Sequence, residues 1–476
     1  MNRGGVVRIV ALVPLLLGSG RRLLANEVAR SLSQDGQRQE IRVDFSQQLP
    51  ESLAGNGFLN DGPAILAARD SVFAPLLHAL GPTFWRIGAP QYLVPASRLG
   101  VRTEVVLSGA WRSQVHANWR RPFDDYGQFE RWLSSFVAQN SRSVNVWEFW
   151  NEPDNLDSWS GSEAQWLEAY ARGERVIREQ LGARAIVAGP SLGHFDLARL
   201  QRFADFCMAR GCEINALTWH ELQDGSADAI SSHVQSIRDS IMDSPRYKDL
   251  RIREVQLNEV VSKAERYSTG DLVVVLSNLQ RSRVGAFARS CWGEFATAGN
   301  DCDNTSLDGI IDPSSARPRG SWWVQAAYAA IRRAPVKLTV PQGFAALAGR
   351  AALACFVLVA PSDRVSRPDS LLVRLDNIQD CLRSPQRSEA DYRVVVRRIP
   401  WQPVEETVDS LPVIGQRVIS DSNSVTISVS VPAFSKVSDR AAHILEGSDA
   451  LMISIEPTTH EPSAYWPVWV RSRSPS

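Results

Sequence analysis

Two glutamates at the ends of separate apolar segments have the chemistry to work as a pair. The segment VNVWEFWNEPD (144–154) reaches Glu152 just before Pro153, and the segment REVQLNEVV (253–261) carries Glu259 near its end. Glutamate is a poor strand residue and is costly to bury, so these positions need a reason. Two carboxylates that face each other across a cleft can cleave a glycosidic bond, one as the proton donor and the other as a nucleophile or as the base for water.

The strands that carry the two glutamates must bring them together. From about residue 80 to residue 335, strand-like apolar runs alternate with helical patterns such as the one over residues 161–182. A βαβα series predicts a parallel sheet covered by helices. An eightfold barrel needs about 250 residues. We therefore expect an α/β fold with a (β/α)8 barrel over residues 50–335, and an open doubly wound sheet is the competing fold.

Strand order predicts which acids face the barrel mouth. Reactive side chains gather at the C-terminal ends of barrel strands, and Glu152 ends the predicted fourth strand while Glu259 ends the seventh. Glu254 is a rival at the beginning of its strand, the end usually devoted to stability. Glu221, on the sixth strand, is a weaker rival. Glu148 lies deeper in the fourth strand, and we interpret it as an interior polar residue that needs partners.

The proton donor of such a pair needs a raised pKa. We expect a neighbouring carboxylate and apolar walls such as Trp150 to raise the pKa of Glu152. The chain holds 15 tryptophans, whose flat rings serve either core packing or stacking on sugars.

The pattern changes after residue 335. Short β runs such as VKLTV, ACFVLVA and SVTISVSV are separated by Pro, Ser, Asp and Gly. This pattern predicts an antiparallel β-sandwich over residues 336–476. The earlier run IRVDFSQQL (41–49) is a candidate additional strand of that sandwich.

The N-terminal residues 1–25 have the pattern of a secretory signal peptide. Arg3 and Arg8 precede the apolar run IVALVPLLL, which is too short to span a membrane. We expect a secreted or extracytoplasmic protein, and an ordinary amphipathic or disordered start is the alternative. Six cysteines fit an exported chain. Three short-range disulfides are possible: Cys207–Cys212, Cys291–Cys302 and Cys355–Cys381. The alternative is that these cysteines are buried free thiols.

Charge and motif content argue against several other classes of protein. Fifty-two basic residues balance 52 acidic ones, so no global field attracts nucleic acid or an anionic membrane. No GxGxxG or Walker-type glycine motif follows an early strand, and the cysteines lack the spacing of a zinc site. We expect neither a metal nor an organic cofactor, no membrane span, and an oligosaccharide or polysaccharide as the partner.

The segments around Glu152 resemble a known enzyme family. EFWNEPDNLDSW, followed by AIVAGPSL and ALTWHEL, resembles the fourth, fifth and sixth strands of glycoside hydrolase family 39, which includes β-xylosidases and α-L-iduronidases. The resemblance covers most of residues 80–335. It implies a retaining (β/α)8 glycosidase followed by a β-sandwich, with Glu152 as general acid/base and Glu259 as nucleophile. It also implies four substrate-binding residues: Asn151 at the sugar 2-hydroxyl, Arg86 supporting the nucleophile, His220 facing the sugar and Trp292 flooring the −1 subsite.

One difference from the family pattern leaves the identity of the sugar undetermined. Family 39 xylosidases and iduronidases usually have an aromatic residue after the nucleophile, whereas LNEVV has valine. The leading hypothesis is a secreted retaining glycosidase that cleaves O-glycosidic bonds by double displacement. The alternatives are a non-catalytic carbohydrate-binding protein on a glycosidase barrel and an endo-glycanase of another family in the same clan. Structural roles are also open for Arg86 as an ion-pair partner, for His220 as a core histidine and for Trp292 in packing.

Overall fold

The structure is a computed structural model of the chain. It describes residues 39–114, 121–292, 301–351, 354–364, 368–382, 391–401, 407–420, 422–438 and 444–458. The predicted signal segment lies outside these ranges. Within them, no helix combines the length and the apolar character that crossing a membrane requires.

Eight parallel strands close into a barrel, which confirms the predicted fold class. The first described strand, β1 (Glu40–Gln48), lies outside the barrel. The barrel strands follow in chain order: β2 (Gly57–Leu59), β3 (Phe84–Ile87), β4 (Arg102–Val106), β5 (Val146–Glu148), β6 (Val187–Leu192), β7 (Ala216–Glu221), β8 (Glu254–Val260) and β9 (Ala286–Arg289). Their side chains are nearly all buried, because helices cover the outer face and the interior is packed.

The barrel closes through a three-residue strand. Strand β2 pairs with β3 on one side and with β9 on the other. Gly57 permits this approach, because a Cβ atom there would lie 1.7 Å from the carbonyl oxygen of Phe287. The sequence pattern did not predict this strand, since three residues are too few to display a period.

Helices join and cover the barrel strands. They are α1 (Gly62–Ala67), α2 (Ala74–Leu80), α3 (Leu93–Ser97), α4 (Leu107–Gln114), α5 (Tyr126–Asn140), α6 (Glu163–Leu181), α7 (Leu197–Arg210), α8 (Ser226–Ile237), α9 (Thr269–Arg281) and α10 (Gly320–Ile331). Helix α6 has the boundaries that its sequence predicts: the Ser162 hydroxyl accepts from the backbone N–H of Gln165, and Gly182 follows the last turn.

Most strands of the C-terminal half belong to two large sheets. After the two-residue strands β10 (Ile311–Asp312) and β11 (Arg317–Pro318), they are β12 (Val336–Thr339), β13 (Phe344–Arg350), β14 (Cys355–Pro361), β15 (Ser370–Asp376), β16 (Tyr392–Ile399), β17 (Val413–Ile419), β18 (Ser424–Ser430), β19 (Phe434–Ser438), β20 (Ile444–Ser448) and β21 (Ala450–Pro457). One large sheet has the order β12-β1-β15-β18, and the other has the order β13-β14-β21-β16-β17. Strands β10 and β11 form a separate two-stranded sheet, and so do β19 and β20.

Strand β1 contributes to the sandwich rather than to the barrel. It pairs antiparallel with β12 and parallel with β15. Ile41, Val43 and Phe45 alternate with more exposed residues and are fully buried in the core between the two sheets. This period-two burial is why its sequence reads as a strand.

Two of the three open disulfide pairings are present. Cys291 is bonded to Cys302, and Cys355 is bonded to Cys381. Cys207 and Cys212 are buried free thiols at the end of α7. For this pair, the alternative of buried free thiols is the one that the structure shows.

Candidate active site

Glu152 is presented at the barrel mouth by an unusual backbone conformation. It follows β5 and has a φ of 46°, in the left-handed region, which costs a residue other than glycine about 1–3 kcal/mol. Its backbone N–H donates to the carbonyl of Ser191 at 2.9 Å, and its carbonyl accepts from Asn155 at 3.0 Å. These bonds to the neighbouring strand end and to the turn hold the side chain over the barrel interior.

Two side chains form hydrogen bonds with the Glu152 carboxylate. Oε1 lies 3.1 Å from Nδ1 of His220, and Oε2 accepts from Nδ2 of Asn155 at 3.1 Å. The hydrogen bond from His220, opposed by partial burial, lowers the pKa of Glu152 to about 2. The expectation of a raised pKa is therefore wrong for this structure.

Trp150 does not form the apolar wall that was expected beside Glu152. Its ring packs edge-on against Trp159, with 5.0 Å between the centroids, and its N–H donates to the carbonyl of Ser158 at 3.2 Å. Residues two positions apart share a face only where the backbone is extended, and the left-handed φ of 46° at Glu152 interrupts that alternation. The neighbour that sets the pKa of Glu152 is instead His220, which is distant in sequence.

Glu259 faces the same place from strand β8. Its side chain is 14% exposed, and its Oε1 accepts from Nη1 of Arg86 at 2.7 Å. A register shift between β7 and β8 after Trp219 sets His220 opposite Glu259. The Nε2 atom of His220 is consequently 4.0 Å from Oε1 of Glu259.

One imidazole ring therefore contacts both glutamates. Nδ1 of His220 faces Glu152, and Nε2 faces Glu259. Because both nitrogens belong to one small rigid ring, the two carboxylate oxygens are at most about 9 Å apart, inside the outer limit of about 9.5 Å for the carboxylate pairs of glycoside hydrolases. The structure thus brings together the two acids that the sequence placed on the fourth and seventh strands.

Arg86 links the predicted residues into one network. Its Nη2 donates to Oδ1 of Asn151 at 2.6 Å, its Nη1 donates to Glu259, and its Nε donates to Glu148 at 2.5 Å. Burial disfavours the charged guanidinium, but the surrounding carboxylates, Glu148 first, raise the pKa of Arg86 further above its ordinary value. Arg86 is therefore an ion-pair partner of two carboxylates, Glu148 and the candidate nucleophile Glu259.

The rival acids have other partners. Glu221 accepts from Nε1 of Trp219 at 2.7 Å and lies 2.7 Å from Nδ1 of His233. Glu254 forms a two-bond ion pair with Arg102 at the opposite end of β8 from Glu259. Both glutamates lie away from the network around His220, which agrees with a structural role.

A cavity of about 370 Å³ opens above the network. Its lining includes Asn151, Glu152, Glu259 and Arg86, together with Arg112 from α4. Carboxylates and other polar groups therefore converge on a space of the size that small-molecule sites have.

Trp292 and His220 are not among the residues that line this cavity. Trp292 is half-buried after β9 and donates to the carbonyl of Val261 at 3.3 Å. His220 is fully buried beneath the cavity, so it touches the two carboxylates from below. Within the described ranges, no group of three His, Cys, Asp or Glu side chains is arranged to hold a metal ion.

Three residues of the network were missed in the sequence. Glu104 in β4, Ser191 after a cis peptide bond in β6 and Asn258 in β8 are all fully buried and all contact Glu148. The only available signal was an isolated polar residue within an apolar run, and that signal cannot tell an interior network from an exposed strand face.

Gly193 lies against the candidate acid and permits a test of its position. A Cβ atom at this glycine would lie 3.2 Å from Oε1 and 3.3 Å from Cδ of Glu152. Gly193→Ala is therefore expected to displace the carboxylate and to lower kcat/KM by roughly 10- to 100-fold, since small misplacements of reacting groups are costly. Gly127→Ala, whose Cβ would meet the side chains of Arg131 on α5 and of Asp125 just before it, is the control. Equal activity of the two variants would contradict this role of Gly193.

Comparison with solved structures identifies the fold. N2152 from Neocallimastix frontalis aligns with a TM-score of 0.66 and 15% identity, over 88% of this chain and 99% of that chain. The GH39 enzyme from Xanthomonas axonopodis pv. citri aligns with a TM-score of 0.60 and 14% identity, over 88% and 97%. A monomeric beta-xylosidase from Caulobacter crescentus CB15 aligns with a TM-score of 0.60 and 15% identity, over 88% and 100%.

This chain has a fold like that of glycoside hydrolase family 39. No family model matches its sequence, and no curated protein does. At such low identity the similarity concerns the fold, and the chemistry has to be argued from the site itself.

Proposed function

We propose that this chain is a retaining glycoside hydrolase, with Glu152 as the general acid/base and Glu259 as the nucleophile. The observation that carries the proposal is the contact of His220 with both carboxylates, which puts the two acids at one cavity. The barrel fold shared with a β-xylosidase supports the same reaction class.

Double displacement assigns each network residue a task. Glu259, which is paired with Arg86, attacks the anomeric carbon while Glu152 protonates the departing oxygen. Water, deprotonated by Glu152, then hydrolyses the glycosyl-enzyme and releases the sugar with its configuration retained. The hydrogen bond from Arg86 to Oδ1 of Asn151 fixes the orientation of the amide, which leaves its two Nδ2 donors available to a sugar hydroxyl.

The proton for the first step has to reach Glu152 despite its low pKa. The geometry allows two proton arrangements on the same atoms: Glu152 can accept from Nδ1 of His220, or can itself donate to an unprotonated Nδ1. In the second arrangement Nε2 of His220 carries the ring proton and faces Glu259 and Ser191. We infer that this second arrangement is the one that starts the reaction.

His220→Phe tests the link between the histidine and the acid. Loss of the donor should raise the pKa of Glu152 from about 2 toward the ordinary value of a glutamate. The alkaline limb of kcat/KM reports the acid that must be protonated, so this limb should move to higher pH. His233→Phe, which alters a histidine on Glu221, is the control. An unmoved limb, or one at lower pH, would exclude His220 as the determinant.

A non-catalytic carbohydrate-binding protein is the second candidate. The low pKa of Glu152 favours it, because a carboxylate that stays ionised at neutral pH is a poor proton donor. Turnover separates the two functions: a hydrolase releases the aglycone, whereas a binding protein retains the intact glycoside.

The deciding experiment is a panel of nitrophenyl glycosides and polysaccharides with the purified protein. Release of nitrophenol with retained product configuration by NMR is expected. Product sizes from polysaccharides then separate an exo-acting enzyme from an endo-glycanase. Binding of the panel without any cleavage would favour the second candidate.

We also propose that the protein is exported, which the predicted signal segment and the two disulfides support.

A further inference from the structure

Two glutamates contact each other in the barrel interior, below the candidate cavity. Glu104 in β4 and Glu148 in β5 are fully buried and are hydrogen-bonded to each other. Nδ2 of Asn258 lies 2.9 Å from Oε1 of Glu104 and 2.7 Å from Oε2 of Glu148. Ionised carboxylates have no donor, so this contact requires a proton on one of the two groups.

The other partners indicate which glutamate carries the proton. Glu148 accepts from Nε and Nη2 of Arg86 at 2.5 and 2.6 Å, and from the hydroxyl of Ser191 at 2.8 Å. Oε2 of Glu104 is buried and accepts no hydrogen bond from the described residues. A charge on Glu104 would face the guanidinium of Arg86 only at 3.8 Å, whereas a charge on Glu148 accepts two hydrogen bonds from it and is better compensated.

The electrostatics of the pair point the same way. Burial and the adjacent Glu148 raise the pKa of Glu104 well above its ordinary value. Burial opposes ionisation of Glu148 too, but the charge and hydrogen bonds of Arg86 lower its pKa. Arg102, on the same strand as Glu104, also faces it, but Arg102 is engaged by Glu254.

We propose that Glu104 is a neutral carboxylic acid that donates its proton to Glu148, and that the pair positions Arg86 against Glu259. Glu148 holds the inner edge of the guanidinium through two bonds, which leaves Nη1 for Glu259 at 2.7 Å. A second negative charge at Glu104 would compete with Glu259 for the same cation. The role as a positioning pair rests on the proposed function; the protonation of Glu104 does not.

The pH dependence of stability tests the proton independently of activity. A group with a raised pKa in the folded state contributes stability at low pH and loses it as pH rises above its unfolded value. Glu104→Gln keeps the shape and the donor but cannot ionise. The wild type should therefore lose stability above about pH 5, and the variant should not. The ratio of the variant's unfolding equilibrium constant to that of the wild type should fall by up to about tenfold per pH unit in this range, as measured by urea unfolding. An unchanged ratio, or failure of this variant to fold, would overturn the proposal.

Kinetics test the positioning role, with the glycoside that the panel identifies. Glu148→Gln removes the charge that shares Arg86 with Glu259, so it should lower kcat by roughly 10- to 100-fold. It should also shift the acid limb of kcat/KM, because the carboxylate that shares Arg86 with Glu259 has lost its charge. Glu104→Gln should retain more turnover and keep the acid limb in place. Equal losses, or equal shifts of the limb, in the two variants would refute the positioning role.

The two measurements separate this inference from the proposed function. If no glycoside is cleaved, the glycosidase assignment fails, while the urea experiment still decides whether Glu104 carries a proton. If glycosides are cleaved but the stability ratio is independent of pH, the glycosidase assignment stands and the neutral Glu104 does not.

Discussion

Glu259→Ala is expected to lower kcat by at least about 10⁴-fold, because no other group can form the glycosyl-enzyme. The side chain is partly exposed, and Arg86 keeps its two bonds to Glu148 in the variant. The fold should therefore survive. Glu254→Gln, on the same strand but paired with Arg102, is the matched control and should keep turnover close to the wild type.

Addition of azide to the Glu259→Ala variant tests whether Glu259 acts as the nucleophile. The space that alanine leaves can admit a small anion next to Arg86, where it can attack the anomeric carbon in place of the carboxylate. Azide should partly restore the release of nitrophenol and give a glycosyl azide of inverted configuration. Wild-type rates in Glu259→Ala, or rescue with retained configuration, would reject Glu259 as the nucleophile.

Glu152→Ala is expected to lower kcat by about 10²- to 10⁴-fold for glycosides with poor leaving groups. The loss should be much smaller in the first step for nitrophenyl glycosides, since nitrophenolate departs without a proton. The glycosyl-enzyme should then accumulate, because no base activates water. A burst of nitrophenol in rapid-mixing kinetics is the measurement that detects it.

Azide also distinguishes the two glutamates. In Glu152→Ala, azide attacks the glycosyl-enzyme from the side that water uses, so the glycosyl azide should have retained configuration. Glu221→Gln, which alters a glutamate bonded to Trp219 and His233, is the control and should show no such rescue. A loss in Glu152→Ala that is independent of the leaving group would contradict the acid/base role.

The barrel could be predicted because its signals are local. Alternating strand and helix periods occur between about residue 80 and residue 335, and each period reflects one element's own contact with the core. The same reasoning found Glu152 and Glu259, since a charged residue at the end of a buried run stands out against its neighbours. It did not find β2, which pairs on both sides but is only three residues long.

The sequence by itself determined the α/β barrel, the following sandwich and two acids at strand ends, because periodicity and turn residues are properties of neighbouring residues. Only the tertiary structure decided the ionisation of Glu152 and the partners of Glu259. The pKa of Glu152 depends on His220, and the pKa of Arg86 depends on Glu148 and Glu259. These pairs are separated by many residues in the chain and meet only when the barrel closes, and electrostatic interactions depend on distance in space rather than on distance in sequence.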